Sequence, residues 1–314
     1  MISILGSGAF GTALAVALTQ CHKVTLWGRS LPPEGHENPR LPGVALPRAI
    51  RLEPDLATAV QGAGILLLAL PAQALGGFLE RHGALLDGRS VVNTAKGIDL
   101  ASGRSPSALI AAACPAAQVA TLTGPSFAAD IARGLPTALT LACADEGAAH
   151  RMQHALSTPA LRLYRSDDLR GAELGGALKN IVAIAAGVAI GAGLGDSARA
   201  ALITRGFAEM VRLATAMGAR AETLAGLSGL GDLVLTATSD LSRNFRYGRA
   251  LGAGDAFDTT ITVEGAATAR AVSALAARRA IAMPVADAVA ALAEARASVA
   301  DTIEALMRRP LKEE

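Results

Sequence analysis

The chain has 314 residues, a length that favours two domains because single domains average roughly 150 residues. Hydrophobic residues make up 51% and aromatic residues only 3%, which excludes a disordered chain and predicts cores built from small and aliphatic side chains. The formal net charge is +2, from 29 basic and 27 acidic residues without a long block of one sign. This charge pattern argues against nucleic-acid binding and favours a small-molecule ligand.

The cysteines and the apolar runs bear on the compartment. Cys21, Cys114 and Cys143 lie far apart, so they predict neither a disulfide framework nor a zinc site, and a cytoplasmic location is expected. The longest apolar run, residues 181–195, is shorter than the ~20 residues of a membrane span and is interpreted as a buried helix. A signal peptide is an alternative for the uncharged residues 1–21, but no Lys or Arg precedes their apolar stretch.

Strands and helices alternate through the first half of the chain. Ile2–Leu5 is a β-branched run that ends at a glycine, Phe10–Leu18 has helical spacing, and Val24–Trp27 is a second strand. Further strands are predicted at Ile65–Leu70, Val91–Thr94, Val119–Thr123, Thr137–Ala142 and Leu161–Tyr164, with helices at Ala72–His82, Ser107–Ala113 and Glu146–Leu156. The segment Leu31–Pro54 is expected to be a long irregular connection. This alternation predicts a parallel, doubly wound, Rossmann-like α/β domain over residues 1–167.

Strand signals stop after about Asp168. Ala, Leu and Val then recur at three- and four-residue spacing, which predicts an all-α second domain over residues 168–314. Its predicted helices are about Leu169–Ile190, Ser197–Met217, Glu264–Arg279, Val285–Arg296 and Ser298–Arg308.

A glycine fingerprint lies between the first predicted strand and helix. The run Gly6-Ser7-Gly8-Ala9-Phe10-Gly11 has the spacing G-x-G-x-x-G in the context that indicates a dinucleotide site. Gly6 allows the tight turn, Gly8 lets the pyrophosphate approach the backbone, and Gly11 lets the helix pack on the strand. The free N–H groups at the helix start favour the anion.

The end of the second predicted strand bears on cofactor choice. An NAD-selective site places Asp or Glu here to bind the ribose 2′-hydroxyl, whereas this chain has Trp27-Gly28-Arg29. A guanidinium without a carboxylate favours a 2′-phosphate, so NADPH is the preferred cofactor and NADH the weaker one. The alternative is that Arg29 is a solvated loop residue.

Lysine is rare among the 29 basic residues, since only Lys23, Lys96, Lys179 and Lys312 occur. A lysine in an apolar or glycine-rich context is a candidate for proton transfer, which arginine does not perform. Lys96 and Lys179 are such candidates, and scarce asparagines lie beside them at Asn93 and Asn180. The alternatives are a surface lysine at position 96 and a snorkelling lysine at position 179.

Three further groups carry polar chemistry. A glycine-rich loop delivers Asp232 to a helix start with Thr236 on the same face, although a simple helix cap is an alternative for Asp232. Ser242-Arg243-Asn244 suits a phosphate dianion, the alternative being a solvated turn. His150 and His154 are four residues apart, but no third ligand is apparent, and no metal is expected.

Longer motifs extend from the first strand to the last helices. They are Leu26-Trp27-Gly28-Arg29, Leu41-Pro42-Gly43, Thr123-Gly124-Pro125-Ser126-Phe127-Ala128, Gly134-Leu135-Pro136-Thr137, Gly175-Gly176-Ala177-Leu178-Lys179-Asn180, Ala198-Arg199-Ala200-Ala201-Leu202-Ile203-Thr204-Arg205-Gly206 and Gly229-Leu230-Gly231-Asp232-Leu233-Val234-Leu235-Thr236. Through them the chain resembles the bacterial NAD(P)-dependent glycerol-3-phosphate dehydrogenase family. The resemblance implies reversible reduction of dihydroxyacetone phosphate to sn-glycerol 3-phosphate, which supplies glycerophospholipid synthesis. It also implies a second domain like that of 6-phosphogluconate dehydrogenases.

The resemblance also assigns roles to residues. Lys179 would be the catalytic proton donor and acceptor. The substrate-binding residues would be Lys96, Gly124, Ser126, Lys179, Asp232, Ser242, Arg243 and Asn244. The cofactor-binding residues would be Gly6, Gly8, Ala9, Phe10, Gly11, Arg29, Lys96, Ala128, Arg243 and Glu264.

Some features depart from the family pattern, and some alternatives remain. Ala9-Phe10 replaces the usual Ser-Trp and the loop before Leu41 is short, so their effect on cofactor binding stays open. The rival functions are another β-hydroxyacid or 6-phosphogluconate-type dehydrogenase and a non-catalytic NADPH-sensing Rossmann protein. No membrane span is expected, and the oligomeric state stays open, a homodimer being one alternative.

Overall fold

The structure is a computed structural model that describes residues 1–32 and 35–307. Its strands are β1 (Ile2–Leu5), β2 (Val24–Trp27), β3 (Glu37–Asn38), β4 (Leu41–Ala45), β5 (Ile50–Glu53), β6 (Ile65–Leu68), β7 (Ser90–Asn93), β8 (Gln118–Thr123), β9 (Thr137–Cys143) and β10 (Leu161–Ser166). Its helices are α1 (Ala9–Leu18), α2 (Leu56–Val60), α3 (Ala72–Leu86), α4 (Pro106–Ala113), α5 (Ala128–Ala132), α6 (Glu146–Leu156), α7 (Leu169–Gly191), α8 (Gly195–Ala216), α9 (Ala221–Ala225), α10 (Asp232–Ala237), α11 (Arg243–Ala253), α12 (Glu264–Arg278), α13 (Pro284–Ala293) and α14 (Val299–Met307). A π-helical turn, Leu227–Gly231, lies between α9 and α10.

The chain divides into two compact units, Met1–Glu173 and Leu174–Glu314, here called the N-terminal and C-terminal units. All strands of the described residues belong to the N-terminal unit, and the C-terminal unit is helical. The division falls inside α7, because Glu173 makes its hydrogen bonds to residues of the N-terminal unit. We keep 1–167 and 168–314 as proposed domain limits, since β10 ends at Ser166 and α7 begins at Leu169.

The N-terminal unit is built on an eight-stranded sheet with the order β10-β9-β8-β7-β6-β1-β2-β5. The order reverses between β1 and β6, the crevice at which doubly wound sheets bind ligands. This arrangement confirms the predicted Rossmann-like fold. The prediction of a wholly parallel sheet is wrong for one pair, because β9 runs antiparallel to β8. The hydrophobic pattern within a strand carries no information about the direction of its neighbour, so this reversal could not be predicted.

Both faces of the central strands are covered. Along β6, Leu66 and Leu68 pack into one hydrophobic cluster, whereas Leu67 packs into the cluster on the opposite face. Each of these leucines is 0% exposed. Because alternate side chains of a strand point to opposite faces, a continuous apolar run is what a doubly covered strand requires.

The segment Leu31–Pro54 is not the irregular connection that its prolines and glycines suggest. It contains the antiparallel pair β3 and β4, and then β5, which pairs with β2 at the edge of the main sheet. Within β5 only Ile50 is buried, so this edge strand has no apolar alternation to reveal it. The buried side chains of Leu41, Val44 and Leu46 join the core cluster that includes α1.

The central helix of the C-terminal unit is α7. It is long and apolar enough to cross a membrane, but 89% of its most apolar 18-residue window is buried inside the structure. This confirms the buried-helix interpretation as far as Gly191. Its close neighbour is α11, because a Cβ on Gly187 would lie 2.1 Å from the Phe245 oxygen and a Cβ on Gly248 would lie 2.0 Å from the Ile184 oxygen. Only glycine lets these two backbones touch.

Several helix predictions need correction. The predicted helix Val285–Arg296 ends at Ala293, since Ala295 has a left-handed φ of 52°. The predicted helix Ser298–Arg308 corresponds to α14, and Arg308 lies outside the described residues. Four helices were not predicted as such: α2, α5, α9 and α11. All but α11 are five residues long, too short for a helical period to stand out.

A buried carboxyl group joins α8 to the start of α13. Glu209 is 4% exposed, and its two oxygens accept hydrogen bonds from the Val285 N–H at 2.9 and 3.1 Å. Oε2 also accepts from the Ala286 N–H at 3.3 Å. Burial raises the pKa of Glu209 from an ordinary 4.5 to about 7, and the backbone donors oppose that rise only in part.

This pKa predicts a pH-dependent stability. Because folded Glu209 binds its proton more tightly than the unfolded chain does, its contribution weakens as pH rises from 4.5 to about 7. The glutamine of Glu209→Gln does not titrate. The free energy of unfolding of this variant, minus that of the wild type, should therefore increase by about 3 kcal/mol as pH rises across this interval. Urea unfolding at several pH values measures it, with the exposed Glu222→Gln as control. A constant difference between Glu209→Gln and wild type would contradict the assignment.

Candidate functional site

The glycine fingerprint lies where the strand order of the sheet reverses. Gly6 follows β1 with φ of 130°, and a Cβ there would lie 2.3 Å from the Ala69 oxygen just after β6. A Cβ on Gly11 would lie 2.0 Å from the Gly6 oxygen. These two glycines are therefore required for the turn itself.

Gly8 has a different role in the same loop. A Cβ on Gly8 would meet no atom within 4 Å, so its face is open space. Gly8 is also the N-cap of α1 and supplies no side-chain cap to the first N–H groups of that helix. Open space beside uncapped N–H groups is the arrangement that accepts a pyrophosphate, so the loop fits a dinucleotide.

The other cofactor candidates of the N-terminal unit lie around this loop. Ala9 and Phe10 are the first residues of α1, and Ala128 is the first residue of α5, which packs on α1. All three are partly buried against the same core cluster. The structure therefore brings Ala128 to the helix that carries the fingerprint.

Arg29 follows β2 at the carboxyl edge of the sheet and is exposed. Within the described residues it forms no ion pair. The preceding residue, Gly28, lies against the glycine loop, since a Cβ there would be 2.1 Å from Ser7 Oγ. The backbone of Arg29 therefore lies beside the fingerprint, and its guanidinium is available for an anionic group.

Lys96, Gly124 and Ser126 meet at one carbonyl. Lys96 Nζ donates to the Gly124 oxygen at 3.1 Å, and Ser126 Oγ donates to the same oxygen at 3.1 Å. Gly124 has φ of 142°, which a residue with a Cβ rarely adopts. Three residues predicted to bind substrate are therefore neighbours, and the plain-surface alternative for Lys96 does not describe this half-buried amine.

A buried hydrogen-bond network, which was not predicted from the sequence, supports the segment that leads from β7 to Lys96. Glu173 accepts hydrogen bonds from the Ser107 N–H at 2.8 Å, Ser107 Oγ at 2.5 Å and Thr121 Oγ1 at 3.1 Å. Asn93 contacts the same carboxyl group and bonds both backbone polar atoms of Ala95. Burial raises the pKa of Glu173. The signal in the sequence that could have identified this network is Glu173, a single acidic residue near the mostly apolar start of α7.

Lys179 is buried in α7, with 5% of its surface exposed. Its Nζ donates to Asp232 Oδ1 at 2.6 Å and to Thr236 Oγ1 at 2.6 Å. Thr236 Oγ1 in turn donates to Asp232 Oδ1 at 3.2 Å. The amine is an ion-paired group with two fixed partners, which excludes both the snorkelling alternative for Lys179 and the simple-cap alternative for Asp232.

Glycines allow the π-helical turn to deliver Asp232 to α7. A Cβ on Gly175 would lie 2.7 Å from the Ser228 oxygen, and a Cβ on Gly229 would lie 1.9 Å from the Leu224 oxygen. The turn can therefore pack directly on the α7 backbone one helical turn before Lys179. Single π-helical turns are frequently found at functional sites.

The group Ser242, Arg243 and Asn244 forms the start of α11, not a solvated turn. Ser242 caps this helix by accepting from the Phe245 N–H at 3.2 Å, and Arg243 is exposed. Asn244 Oδ1 accepts from the Gly265 N–H at 3.0 Å, beside Glu264 at the start of α12. A Cβ on Gly265 would lie 2.7 Å from the Asn180 oxygen, so these residues converge on the α7 backbone beside Lys179.

His150 and His154 form a separate pair at the surface. Their Nε2 atoms are 3.1 Å apart, and both rings are exposed on α6. The described residues contain no group of three His, Cys, Asp or Glu side chains placed to hold a metal ion.

Gly8 faces open space and Gly11 is crowded, so we expect opposite effects from an alanine at each position. Gly8→Ala places a methyl group in open space, so we expect unchanged thermal stability but a Kd for NADPH raised about tenfold or more. Gly11→Ala meets the Gly6 oxygen and should cost about 1–3 kcal/mol of stability. Thermal unfolding and calorimetric titration measure both. Equal NADPH affinity of Gly8→Ala and wild type would refute the assignment of this space to the cofactor.

The chain is similar along its whole length to known proteins. It is 65% identical to a glycerol-3-phosphate dehydrogenase [NAD(P)+] of Paracoccus denitrificans, over all of this chain and 99% of that protein. A Cereibacter sphaeroides protein of the same name is 63% identical over the full length of both. The crystal structure of glycerol-3-phosphate dehydrogenase from Coxiella burnetii superposes with a TM-score of 0.92 at 36% identity, over 98% of each chain.

Two family models cover most of the sequence. The model for the N-terminus of NAD-dependent glycerol-3-phosphate dehydrogenase matches residues 1–149, and the model for its C-terminus matches residues 168–304. The fingerprint and the buried lysine described above each lie inside one of these matches. The chain belongs to the NAD-dependent glycerol-3-phosphate dehydrogenase family.

Proposed function

We propose that this protein is an NAD(P)H-dependent oxidoreductase that reduces dihydroxyacetone phosphate to sn-glycerol 3-phosphate. The observation that carries the proposal is the buried ammonium group of Lys179, held by Asp232 and Thr236 in a chain of this family. Burying a charged amine is costly in free energy unless the amine is paired. Most of the positive charge of this chain comes from arginine, yet this buried position has a lysine. Such an amine is suited to proton transfer.

The chemistry divides between the cofactor and the chain. A bound nicotinamide supplies the hydride that reduces the ketone carbon. Lys179 Nζ stabilises the negative charge that develops on the ketone oxygen and donates a proton to it. Asp232 and Thr236 fix the direction of the amine, which lowers the cost of orienting the donor. A positioned general acid of this kind contributes a rate factor of about 10²–10⁴.

Further residues have proposed binding roles. For the substrate these are Lys96, Gly124, Ser126, Asp232, Ser242, Arg243 and Asn244. The convergence of Lys96 and Ser126 on the Gly124 oxygen supports the first three. The exposed Arg243 supplies a guanidinium for a phosphate group, and the cap made by Ser242 holds the helix start that carries it.

The dinucleotide would be held by the glycine loop, with contacts from Ala128, Lys96, Arg243 and Glu264. We propose NADPH as the preferred form, because Arg29 lacks an ion pair in the described part of the chain and no carboxylate follows β2 directly. NADH is the weaker alternative. We also propose a cytoplasmic location, supported by free thiols at Cys21, Cys114 and Cys143.

The proton-transfer role is tested by Lys179→Arg. The guanidinium keeps the positive charge but does not release a proton near neutral pH, so kcat should fall at least ~10²-fold while NADPH affinity changes little. Steady-state kinetics and calorimetric titration measure the two quantities, and thermal unfolding verifies folding. Lys23→Arg, at an exposed lysine, is the matched control. A folded Lys179→Arg with turnover within a few-fold of wild type would remove the general acid from this position.

Cofactor selectivity is tested by Arg29→Ala. A charge-assisted hydrogen bond contributes roughly 1.5–3 kcal/mol, so we expect NADPH binding to weaken about 10- to 100-fold while NADH binding barely changes. Arg48→Ala is the control. Arg48 is also exposed, but it precedes β5 and so lies at the amino-terminal end of these parallel strands, whereas Arg29 follows the carboxyl end of β2. An equal loss of affinity for NADPH and NADH would show that Arg29 does not recognise the 2′-phosphate.

A further inference from the structure

The glycine loop is tied to a hairpin that has no role in the site described so far. This hairpin consists of β3 and β4 and contains the Leu41-Pro42-Gly43 motif. Its residue Asn38 is 2% exposed, although an amide side chain is ordinarily found at the surface. A buried amide needs a partner for each of its polar atoms, so its contacts identify what it holds.

Asn38 uses both of its polar atoms. Nδ2 donates to the backbone oxygen of Ser7 at 2.9 Å and to Thr12 Oγ1 at 2.7 Å. Oδ1 accepts from the Arg40 N–H at 2.9 Å, which fixes the amide plane against its own hairpin. One side chain therefore joins the hairpin, the glycine loop and α1.

The bond to Ser7 bears on the pyrophosphate-binding surface. In a trans peptide the C=O and N–H point in opposite directions, so a fixed Ser7 oxygen also fixes the direction of the Gly8 N–H. Ser7 Oγ donates to the Ser30 oxygen at 3.1 Å, which restrains the same residue from its other side. The Ser7–Gly8 peptide is thus held in one orientation before any ligand binds.

The hairpin itself is anchored independently of this bond. Leu41, Val44 and Leu46 are buried in the core cluster, and Glu37 Oε2 accepts from the Gly43 N–H at 2.8 Å. Gly43 has φ of 80° and lies within β4, whereas the turn that joins β3 to β4, residues 39–40, receives one bond from Asn38, at the Arg40 N–H. A variant that keeps the acceptor for the Arg40 N–H, such as Asn38→Asp, therefore separates the contribution of Asn38 to the glycine loop from the folding of the hairpin.

We propose that Asn38 is a positioning residue for the dinucleotide, which acts by presetting the Ser7–Gly8 peptide of the glycine loop for the pyrophosphate. The inference rests on the proposed function only for the identity of the dinucleotide. Because the pyrophosphate is common to both cofactors, Asn38 raises the affinity for NADPH and NADH by the same factor. Arg29, in contrast, changes their ratio.

The test is the affinity of purified Asn38→Asp for each cofactor, measured by calorimetric titration without substrate. This change keeps size and the acceptor for the Arg40 N–H, but it turns an oxygen toward the Ser7 oxygen in place of a donor. We expect both Kd values to rise about tenfold or more and by the same factor. At saturating NADPH, kcat and the KM for dihydroxyacetone phosphate should stay within about threefold of wild type.

Two companion variants separate positioning from general loosening. Asn38→Ala lacks the new negative charge and should show the same pattern, and thermal unfolding selects the variants that fold. Glu37→Ala weakens the hairpin at its Gly43 contact but leaves the Asn38 bonds in place, so its cofactor affinity should stay within about threefold of wild type.

The possible results are distinct. Folded Asn38 variants that bind both cofactors like wild type would overturn the inference, and so would a Glu37→Ala variant that loses as much affinity as they do. A selective loss of NADPH affinity would also overturn it. If wild type binds NADPH but does not reduce dihydroxyacetone phosphate, the proposed function fails while the binding comparison still decides the role of Asn38.

Discussion

A charged amine inside a helical core sets the strongest constraint on this molecule. Lys179 has 5% of its surface exposed, and removing one partner from such a buried pair generally costs about 3–5 kcal/mol. The Asp232 carboxylate and the Thr236 hydroxyl must therefore lie within hydrogen-bond distance of Nζ whenever the unit is folded. Well-packed apolar residues often stabilise such a position as well as an ion pair does, so stability alone does not account for this pair, which agrees with the proton-transfer role proposed for Lys179.

The packing of the C-terminal unit follows from this constraint. Asp232 reaches α7 because Gly175 and Gly229 let the π-helical turn lie against neighbouring backbone without a Cβ between them. The same device brings α11 onto α7 at Gly187 and Gly248. Close backbone approach in place of large side chains agrees with a chain in which only 3% of residues are aromatic. Substituting any of these glycines would move an element that carries a polar group.

In the N-terminal unit, pre-organisation is achieved differently. The glycine loop is shaped by Gly6 and Gly11, but the backbone of this unit is also held by hydrogen bonds between segments distant in sequence. Asn38 reaches Ser7 across 31 positions, and Glu173 reaches Ser107 across 66. Both are buried polar groups with satisfied partners, a combination that specifies one arrangement of the surrounding backbone.

The features with a local physical cause could be predicted from the sequence. The fingerprint, the covered strand β6 and the buried helix α7 follow from spacing and composition within short windows, and each was found close to its observed bounds. Lys179 was singled out because lysine is rare in this chain. The direction of β9, the edge strand β5 and the Thr236 contact depend on residues far apart in sequence. Nothing in a local pattern reports such pairings, which is why no role for Asn38 could be predicted from the sequence.

The proposed reduction of dihydroxyacetone phosphate is tested most directly by a coupled measurement on the purified wild-type protein. NADPH absorbance and sn-glycerol 3-phosphate are followed together after dihydroxyacetone phosphate is added, with β-hydroxyacids and 6-phosphogluconate tested separately in the oxidative direction. We expect NADPH loss with formation of an equimolar amount of sn-glycerol 3-phosphate, and no comparable turnover of the acids. Absence of NADPH loss at high protein concentration, or turnover of the acids alone, would contradict the proposal.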